Sequence, residues 1–282
     1  MANYDIKVLH KRILKVLEMV DKTCQTHGLT YYIWAGTMIG AVRHHGFIPW
    51  DDDIDIAMPR EDYDRLIAHC REWLPEPLEM ICAEDDSTYP LPFAKIQDAS
   101  TTLIERKHMD YVGGIYIDVF PIDGVPNGWC RRMLHFARYE YYKRVLYLLF
   151  RDPYKHGHGP NSWVPLLCRK LYTLGGVQVR IRRLLLQYPF ASCNLVADYD
   201  DGSKGTMRKE VLGKPTNYAF EDATVKGVEN YDHYLSNKYG DYMTIPPKEQ
   251  QRQHLFYYLD FEHPYADFKG LGKRKTCNRA PF

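Results

Sequence analysis

Four aspartates within five residues, in the run Trp50-Asp51-Asp52-Asp53-Ile54-Asp55-Ile56, constrain this chain more than any other feature. Asp is poorly suited to strands, and carboxylates stacked on one face repel each other. Yet the run passes directly into Ile54-Asp55-Ile56-Ala57-Met58, whose alternation predicts a strand. On that strand Asp53 and Asp55 share a face, Asp51 joins them at the entrance, and Ile54 and Ile56 face a core. A bound divalent cation removes the repulsion, and hard oxygen ligands suit Mg²⁺ or Mn²⁺. A solvated acidic turn is the plain alternative, but turns do not normally run straight into Ile-Asp-Ile.

Two other metal motifs compete for these residues. An EF-hand loop beginning at Asp51 needs Gly where Ile56 stands, and normally Glu where Asp62 stands, so it fails. The Asp-x-Asp of metal-dependent glycosyltransferases is matched by Asp51/Asp53 or Asp53/Asp55, but this motif is short and context must decide.

The context is an α/β core. Leu9, Ile13, Leu17, Val20 and Cys24 predict a first helix, with Gly28 placed to stop it. Tyr31-Tyr32-Ile33-Trp34 predicts a short strand, Gly36-Thr37 opens a helix from Met38 to His44, and Pro59 suits the first turn of a further helix through Cys70. More strands are expected around residues 79–82, 93–97, 101–105 and 115–120. Helices follow over 131–150 and 163–186, separated by a Gly/Pro/His connector at 152–161. A hairpin is expected near 218–228 and a helix near 231–239. The division predicted is a catalytic core at 1–125, a helical section at 126–190 that is a candidate for binding the acceptor, and a mixed C-terminal region at 191–282 packing on the core.

Composition excludes several classes. Lys and Arg number 37 against 36 Asp and Glu, a net charge of +1, which argues against a nucleic-acid binder held by phosphate neutralisation. The apolar run 145–150 is far short of the ~20 residues a membrane-spanning helix needs, so no transmembrane segment is expected. Seven dispersed cysteines with no CxxC spacing read as reduced thiols. The expected location is the cytoplasm, with work at the inner face of the membrane also consistent.

A strand, then Gly36-Thr37 opening a short helix, then a strand carrying Asp53-Ile54-Asp55 resembles the nucleotidyltransferase superfamily. Gly36 allows close backbone approach to a phosphate, and Thr37 offers a hydroxyl and helix N-terminal amides to anionic oxygens. The stretch from Trp34-Ala35-Gly36-Thr37-Met38-Ile39-Gly40-Ala41-Val42-Arg43-His44-His45-Gly46-Phe47-Ile48-Pro49 through the acidic run is similar to the signature of the LicD family. Fukutin and fukutin-related protein resemble it more distantly. The similarity continues through Phe93-Ala94-Lys95-Ile96, Ile117-Asp118-Val119-Phe120-Pro121-Ile122-Asp123 and Tyr239-Gly240-Asp241-Tyr242-Met243, covering residues 25–250.

The resemblance implies a nucleotidyltransferase-like mixed β-sheet core flanked by helices. It also implies transfer of phosphocholine, or another phospho-alcohol, from CDP-choline or a related CDP-alcohol to a glycan or lipid-linked saccharide, releasing CMP. In that pattern Asp118, a carboxylate in an apolar strand, is the third acidic residue beside Asp53 and Asp55, either completing a metal shell or acting as base. Asp123 reads as the cap of a strand-end turn. Lys95 is either an edge-strand lysine or a contact to the donor phosphates, and Arg43 is expected on a diphosphate or a structural carboxylate. Asp53, Asp55 and Asp118, with Asp51 as a fourth candidate, are the expected metal ligands. The basic helix at 180–183 reads as a solvated face or a site for an anionic acceptor. The abundant aromatics are expected in the core, with a cation–π cage for a quaternary ammonium as a minority role. Two alternatives stand beside this reading: a nucleotide-sugar glycosyltransferase using the same Asp-x-Asp, and an inactive glycan- or nucleotide-binding module.

Overall fold

One buried stripe of Leu9, Ile13, Leu17, Val20 and Cys24 seats the first helix, α1 (Ile6–His27), on the core in the computed structural model, which describes residues 4–105, 111–154, 157–254 and 256–268. Gly28 ends α1 at φ 60°, in the left-handed region that Gly adopts without penalty, and its N–H donates to Cys24 O. A short strand β1 (Tyr32–Ile33), helix α2 (Ala35–His44), strand β2 (Asp55–Pro59) and helix α3 (Arg60–Trp73) follow in the expected order. Ile54 and Ile56 are fully buried, as the alternation requires. The strand itself begins at Asp55, so Asp51 to Asp53 form its extended lead-in. Pro59 closes β2 and caps α3 rather than lying inside its first turn.

After β3 (Leu78–Ile81), the two strands expected at 93–97 and 101–105 are a single strand, β4 (Ala94–Ile104), with a register irregularity between Asp98 and Leu103. Strand β5 (Gly113–Val125) extends well past the expected end at residue 120. The extension corrects the reading of Asp123 as a turn cap. Asp123 lies within β5, where both of its carboxylate oxygens accept from Arg60, at 2.7 and 2.6 Å. Both residues are buried, so each charge is held there by the other.

The helical section is α4 (Trp129–Phe150), α5 (Pro160–Leu171) and α6 (Leu174–Leu185). The helix expected over 163–186 is broken at Tyr172-Thr173, where the Thr173 side chain caps α6 by accepting from Gly176 N–H. These helices enclose their own apolar cluster around Phe136, Tyr139, Val177 and Ile181. The connector expected at 152–161 lies partly outside the described residues, as does Cys277. The six described cysteines are free thiols.

The C-terminal region supplies β6 (Leu195–Ala197), β7 (Met207–Arg208), a hairpin of β8 (Thr216–Phe220) and β9 (Ala223–Gly227), helix α7 (Tyr231–Tyr239) and β10 (Tyr258–Asp260). Strands β6 and β10 pair with β5 and β4, so this region completes the central sheet. The main path of that eight-stranded sheet runs β1-β2-β5-β4-β10, with β3 on β4, β6 on β5 and β7 on β6. Among the described residues only β2 and β5 pair in parallel, which makes the sheet mixed and the fold α/β. No helix among the described residues is long and apolar enough to cross a membrane.

Candidate active site

The parallel pairing of β2 and β5 sets the site, because its register puts Asp55 beside Asp118. Neighbouring strands lie only ~4.8 Å apart, so the two carboxylates are immediate neighbours. The main chain of Asp55 is fixed from both directions. Its N–H donates to Thr37 Oγ1 at 2.8 Å, and its carbonyl accepts from Trp34 N–H at 2.8 Å. Asp118 N–H in turn donates to Ile54 O at 2.9 Å. Thr37 is buried, and its hydroxyl is engaged in holding β2.

Gly36 is needed for a related reason: a Cβ there would stand 2.8 Å from Asp51 Oδ2. The space its missing side chain leaves is taken by the Asp51 carboxylate. Just before it, Ala35 holds φ at 44°, a left-handed conformation unusual for a residue with a Cβ, while its N–H donates to Tyr234 OH at 3.0 Å. Strain of this kind concentrates where a loop must present groups accurately.

The four aspartates of the run have different work. Asp52 is buried and accepts from Tyr4 OH at 2.6 Å and His254 N–H at 2.9 Å, with His254 Nδ1 at 2.8 Å from its other oxygen. It ties Tyr4 and His254, distant in sequence, to the motif. Asp51, Asp53 and Asp55 remain as the acidic face. Burial first, then the Asp53 and Asp52 charges, push Asp51 up to about 8. Asp53 is raised by burial, partly offset by His254, whose Nδ1 lies 3.8 Å from Asp53 Oδ2. Asp55 is raised well above the usual carboxylate range by burial and by the charges of Asp53, Asp118 and Asp51. His254 is raised to about 9, chiefly by its hydrogen bond to Asp52.

Lys95 meets this face from β4, where it is paired in register with Asp118. It is 4% exposed, so it is no edge-strand lysine in water. Its Nζ is 2.7 Å from Glu105 Oε1, 3.2 Å from Asp118 Oδ1 and 3.2 Å from the centre of the Tyr116 ring. Burial raises Asp118 to about 6 against the lowering effect of Lys95. Glu105 is raised by burial but brought below its ordinary value by the charge and hydrogen bond of Lys95. Arg43 is not brought to these carboxylates. Its guanidinium donates to the Tyr242 carbonyl at 2.6 Å, and its Nε lies 2.9 Å from His44 Nε2, so it clamps the turn after α7.

A second charged group adjoins Asp55. Lys238, on α7, lies 2.5 Å from Asp201 Oδ2, and its charge acts on Asp55. Asp198 is buried and accepts from Trp34 Nε1 at 3.2 Å. Sequence reasoning did not single out Glu105, His254, Lys238, Asp198 or Asp201. Two signals were present: Lys238 immediately precedes the Tyr239-Gly240-Asp241 block, and Asp198, Asp200 and Asp201 crowd one short segment.

The donor set suits a hard divalent cation on two counts. The acidic face is all carboxylate oxygen, and among the described residues the buried Asp118 Oδ1 has no hydrogen-bond partner of good geometry, with Lys95 Nζ 3.2 Å away as its ion-pair partner. Among the described residues, no three acidic, His or Cys groups are placed to hold a metal ion together. An open arrangement of one or two carboxylates is what Mg²⁺ needs when phosphate oxygens and water supply the rest.

The family model described as LicD/FKTN/FKRP, nucleotidyltransferase domain, matches residues 28–147. The chain is similar to the lipopolysaccharide cholinephosphotransferase LicD of Haemophilus influenzae, 30% identical over 250 residues that cover 86% of this chain and 92% of that protein. It is also similar to the ribitol-5-phosphate transferase FKTN of Mus musculus, 32% identical over 73 residues, 25% of this chain and 16% of that protein. A third similarity, 37% identity over 59 residues, is to an uncharacterized protein of Rickettsia typhi, covering 20% of this chain and 19% of that protein.

Proposed function

Because the chain belongs to the LicD family, we propose that it transfers a phospho-alcohol, phosphocholine in the first instance, from a CDP-linked donor to a hydroxyl of a glycan and releases CMP. The observation that carries this reading is the register pair Asp55–Asp118, with Asp53 at the strand entrance, on a chain similar along most of its length to a cholinephosphotransferase.

In this reading Asp53, Asp55 and Asp118, with Asp51 beside them, hold Mg²⁺ or Mn²⁺, which supplies charge neutralisation to the donor diphosphate. The chain's own groups do the rest. Thr37 and Gly36 fix the two ends of the acidic lead-in. Lys95 and Lys238 bring positive charge to a site that otherwise gathers anionic substrate against carboxylates. The acceptor hydroxyl attacks the phosphorus that bears the alcohol. Its oxygen forms the new O–P bond, the phosphoanhydride bond to CMP breaks, and the proton passes to a carboxylate of the acidic face. Positioning and electrostatics supply most of the acceleration, as phosphoryl transfer requires.

The test is incubation of the chain with CDP-choline, Mg²⁺ and a saccharide acceptor, followed by mass spectrometry. CMP together with an acceptor heavier by phosphocholine supports the reading. No CMP from any CDP-alcohol, together with an acceptor that gains a sugar without phosphate when a nucleotide-sugar donor is supplied instead, makes the chain a glycosyltransferase and overturns it. Parallel reactions with CDP-ethanolamine, CDP-ribitol and CDP-glycerol identify the transferred group.

A further inference from the structure

The helical section has a charge unlike the rest of the chain. Residues 126–190 carry twelve Lys and Arg and two acidic residues, Glu140 and Asp152, a formal charge of +10. The chain total is +1, so everything outside this section sums to −9. Few of these positive charges are used inside the protein. Lys143 pairs with Asp200, and Arg182 pairs with Asp64 and Glu84. Arg131, Arg138, Arg144, Lys170, Arg180 and Arg183 are exposed and make no ion pair among the described residues.

The same section exposes apolar side chains that a water-facing surface does not need. On α5, Trp163 is 68% exposed and Leu171 66% exposed, with Val164 and Leu167 between them also open. Trp163, Leu167 and Leu171 recur every fourth residue, so they line one side of α5. The stripe continues beyond the helix: Tyr141 OH on α4 lies 2.6 Å from Tyr172 OH, and the Arg180 guanidinium lies 5.6 Å from the Tyr172 ring. Apolar stripe and unpaired cations are therefore contiguous.

A protein surface that is only sticky has no reason to be so positive, and one that is only basic has no reason to present Trp and Leu. An interfacial helix combines both, with Trp and Leu entering the boundary region of a bilayer while Lys and Arg meet anionic headgroups. We propose that α5 and the adjoining faces of α4 and α6 form a docking surface for an anionic lipid bilayer. The attraction of headgroups falls off within ~8 Å at physiological ionic strength, so only cations beside the apolar stripe contribute. Lys170, Arg180 and Arg183 are so placed, in or next to the elements that carry it.

Vesicle flotation of the full chain tests this without donor or acceptor, so its outcome is independent of the transfer reaction. Binding is expected to vesicles of phosphatidylcholine mixed with phosphatidylglycerol and not to phosphatidylcholine alone, with a blue shift of Trp emission that Trp163→Phe diminishes. Two variants confined to exposed positions, L167S/L171S and R180Q/R183Q, should each weaken binding on the order of tenfold while the melting temperature is unchanged. Absence of vesicle binding, or binding by both variants as tight as that of the parent chain, overturns the proposal. A Trp163-dependent dimer in light scattering without vesicle binding also overturns it, by making a second copy of the chain the occupant of this face.

Discussion

Asp55 and Asp118 stand side by side on the two parallel strands of an otherwise antiparallel sheet, and both are held well away from ordinary carboxylate behaviour. Burial raises both, reinforced at Asp55 by the charges of Asp53 and Asp118 and at Asp118 by those of Asp53 and Glu105 against Lys95, while one oxygen of Asp118 makes no hydrogen bond among the described residues. Such a pair is costly to a fold and useful to a site that must attract positive charge.

Replacing Asp55 by Asn therefore separates stability from function. The side chain keeps its size, and one of several repelling charges disappears, so the melting temperature should hold or rise in the absence of divalent cation. CMP release should fall on the order of 10²–10³-fold, the usual loss for a group that organises charge at a reacting phosphate. Quantifying CMP by chromatography alongside a thermal melt checks both halves. Full activity with Mg²⁺ present contradicts the role assigned to Asp55.

Thr37→Val tests positioning by a residue whose hydroxyl is committed to the protein. The substitution is nearly isosteric but removes the acceptor for Asp55 N–H at 2.8 Å. An amide left without a partner at the start of β2 should cost ~1–3 kcal/mol, and the displaced Asp55 should lower kcat more than it raises KM. Thr37→Ser, which keeps the oxygen, should restore most of both. If Val and Ser variants behave alike, the hydroxyl has no such role.

Lys95 is held between Glu105 and Asp118, so Lys95→Met leaves two carboxylates in a buried setting without their cation. Breaking a buried pair from one side costs ~3–5 kcal/mol, and denaturant unfolding should show a loss of that order. The double variant K95M/E105Q removes one of the stranded charges and should recover part of the stability. If Lys95 also neutralises donor phosphates, the double variant stays inactive; recovery of activity together with stability confines Lys95 to a structural role.

The elements that position the site were legible where periodicity and punctuation agree. The stripe of α1, the stop at Gly28, and the sequence of β1, α2 and β2 all follow from residue spacing, and the acidic run marked its own strand. Long-range pairing was not legible. Asp52 and Asp55 are alike in sequence, yet Asp52 is bound by Tyr4 and His254, 48 residues before it and 202 after it. Asp123 looked like a turn cap because nothing local names Arg60 as its partner. Strands β6, β7 and β10 are two or three residues long, too short to show alternation, and exist because longer strands offer them an edge. Arg43 carried a plausible charge, but its partners are main-chain carbonyls of residues 242 and 244, which residue type alone does not reveal.

Asp198 gives a stability prediction that depends on pH. Burial, reinforced by Asp201 and opposed by Lys238, raises its carboxyl to about 8 from an ordinary 3.8. A carboxyl raised by folding binds its proton more tightly in the native state than in the unfolded chain. Stability is therefore unaffected below the unfolded value and falls as pH climbs from about 4 to about 8. Asp198→Asn ends that dependence, but Trp34 Nε1 donates to Oδ2 at 3.2 Å and Asp200 N–H to Oδ1 at 2.9 Å, so the single amide oxygen keeps one of the two hydrogen bonds and gives up the other at every pH. The lost hydrogen bond lowers the variant's melting temperature by a fixed amount, and against that offset the variant should gain several degrees on the parent between pH 4 and pH 8, at ~2–4 °C per kcal/mol for a chain of this size. Calorimetric scans of both proteins across that range decide the matter, and a constant offset between them at every pH contradicts the linkage.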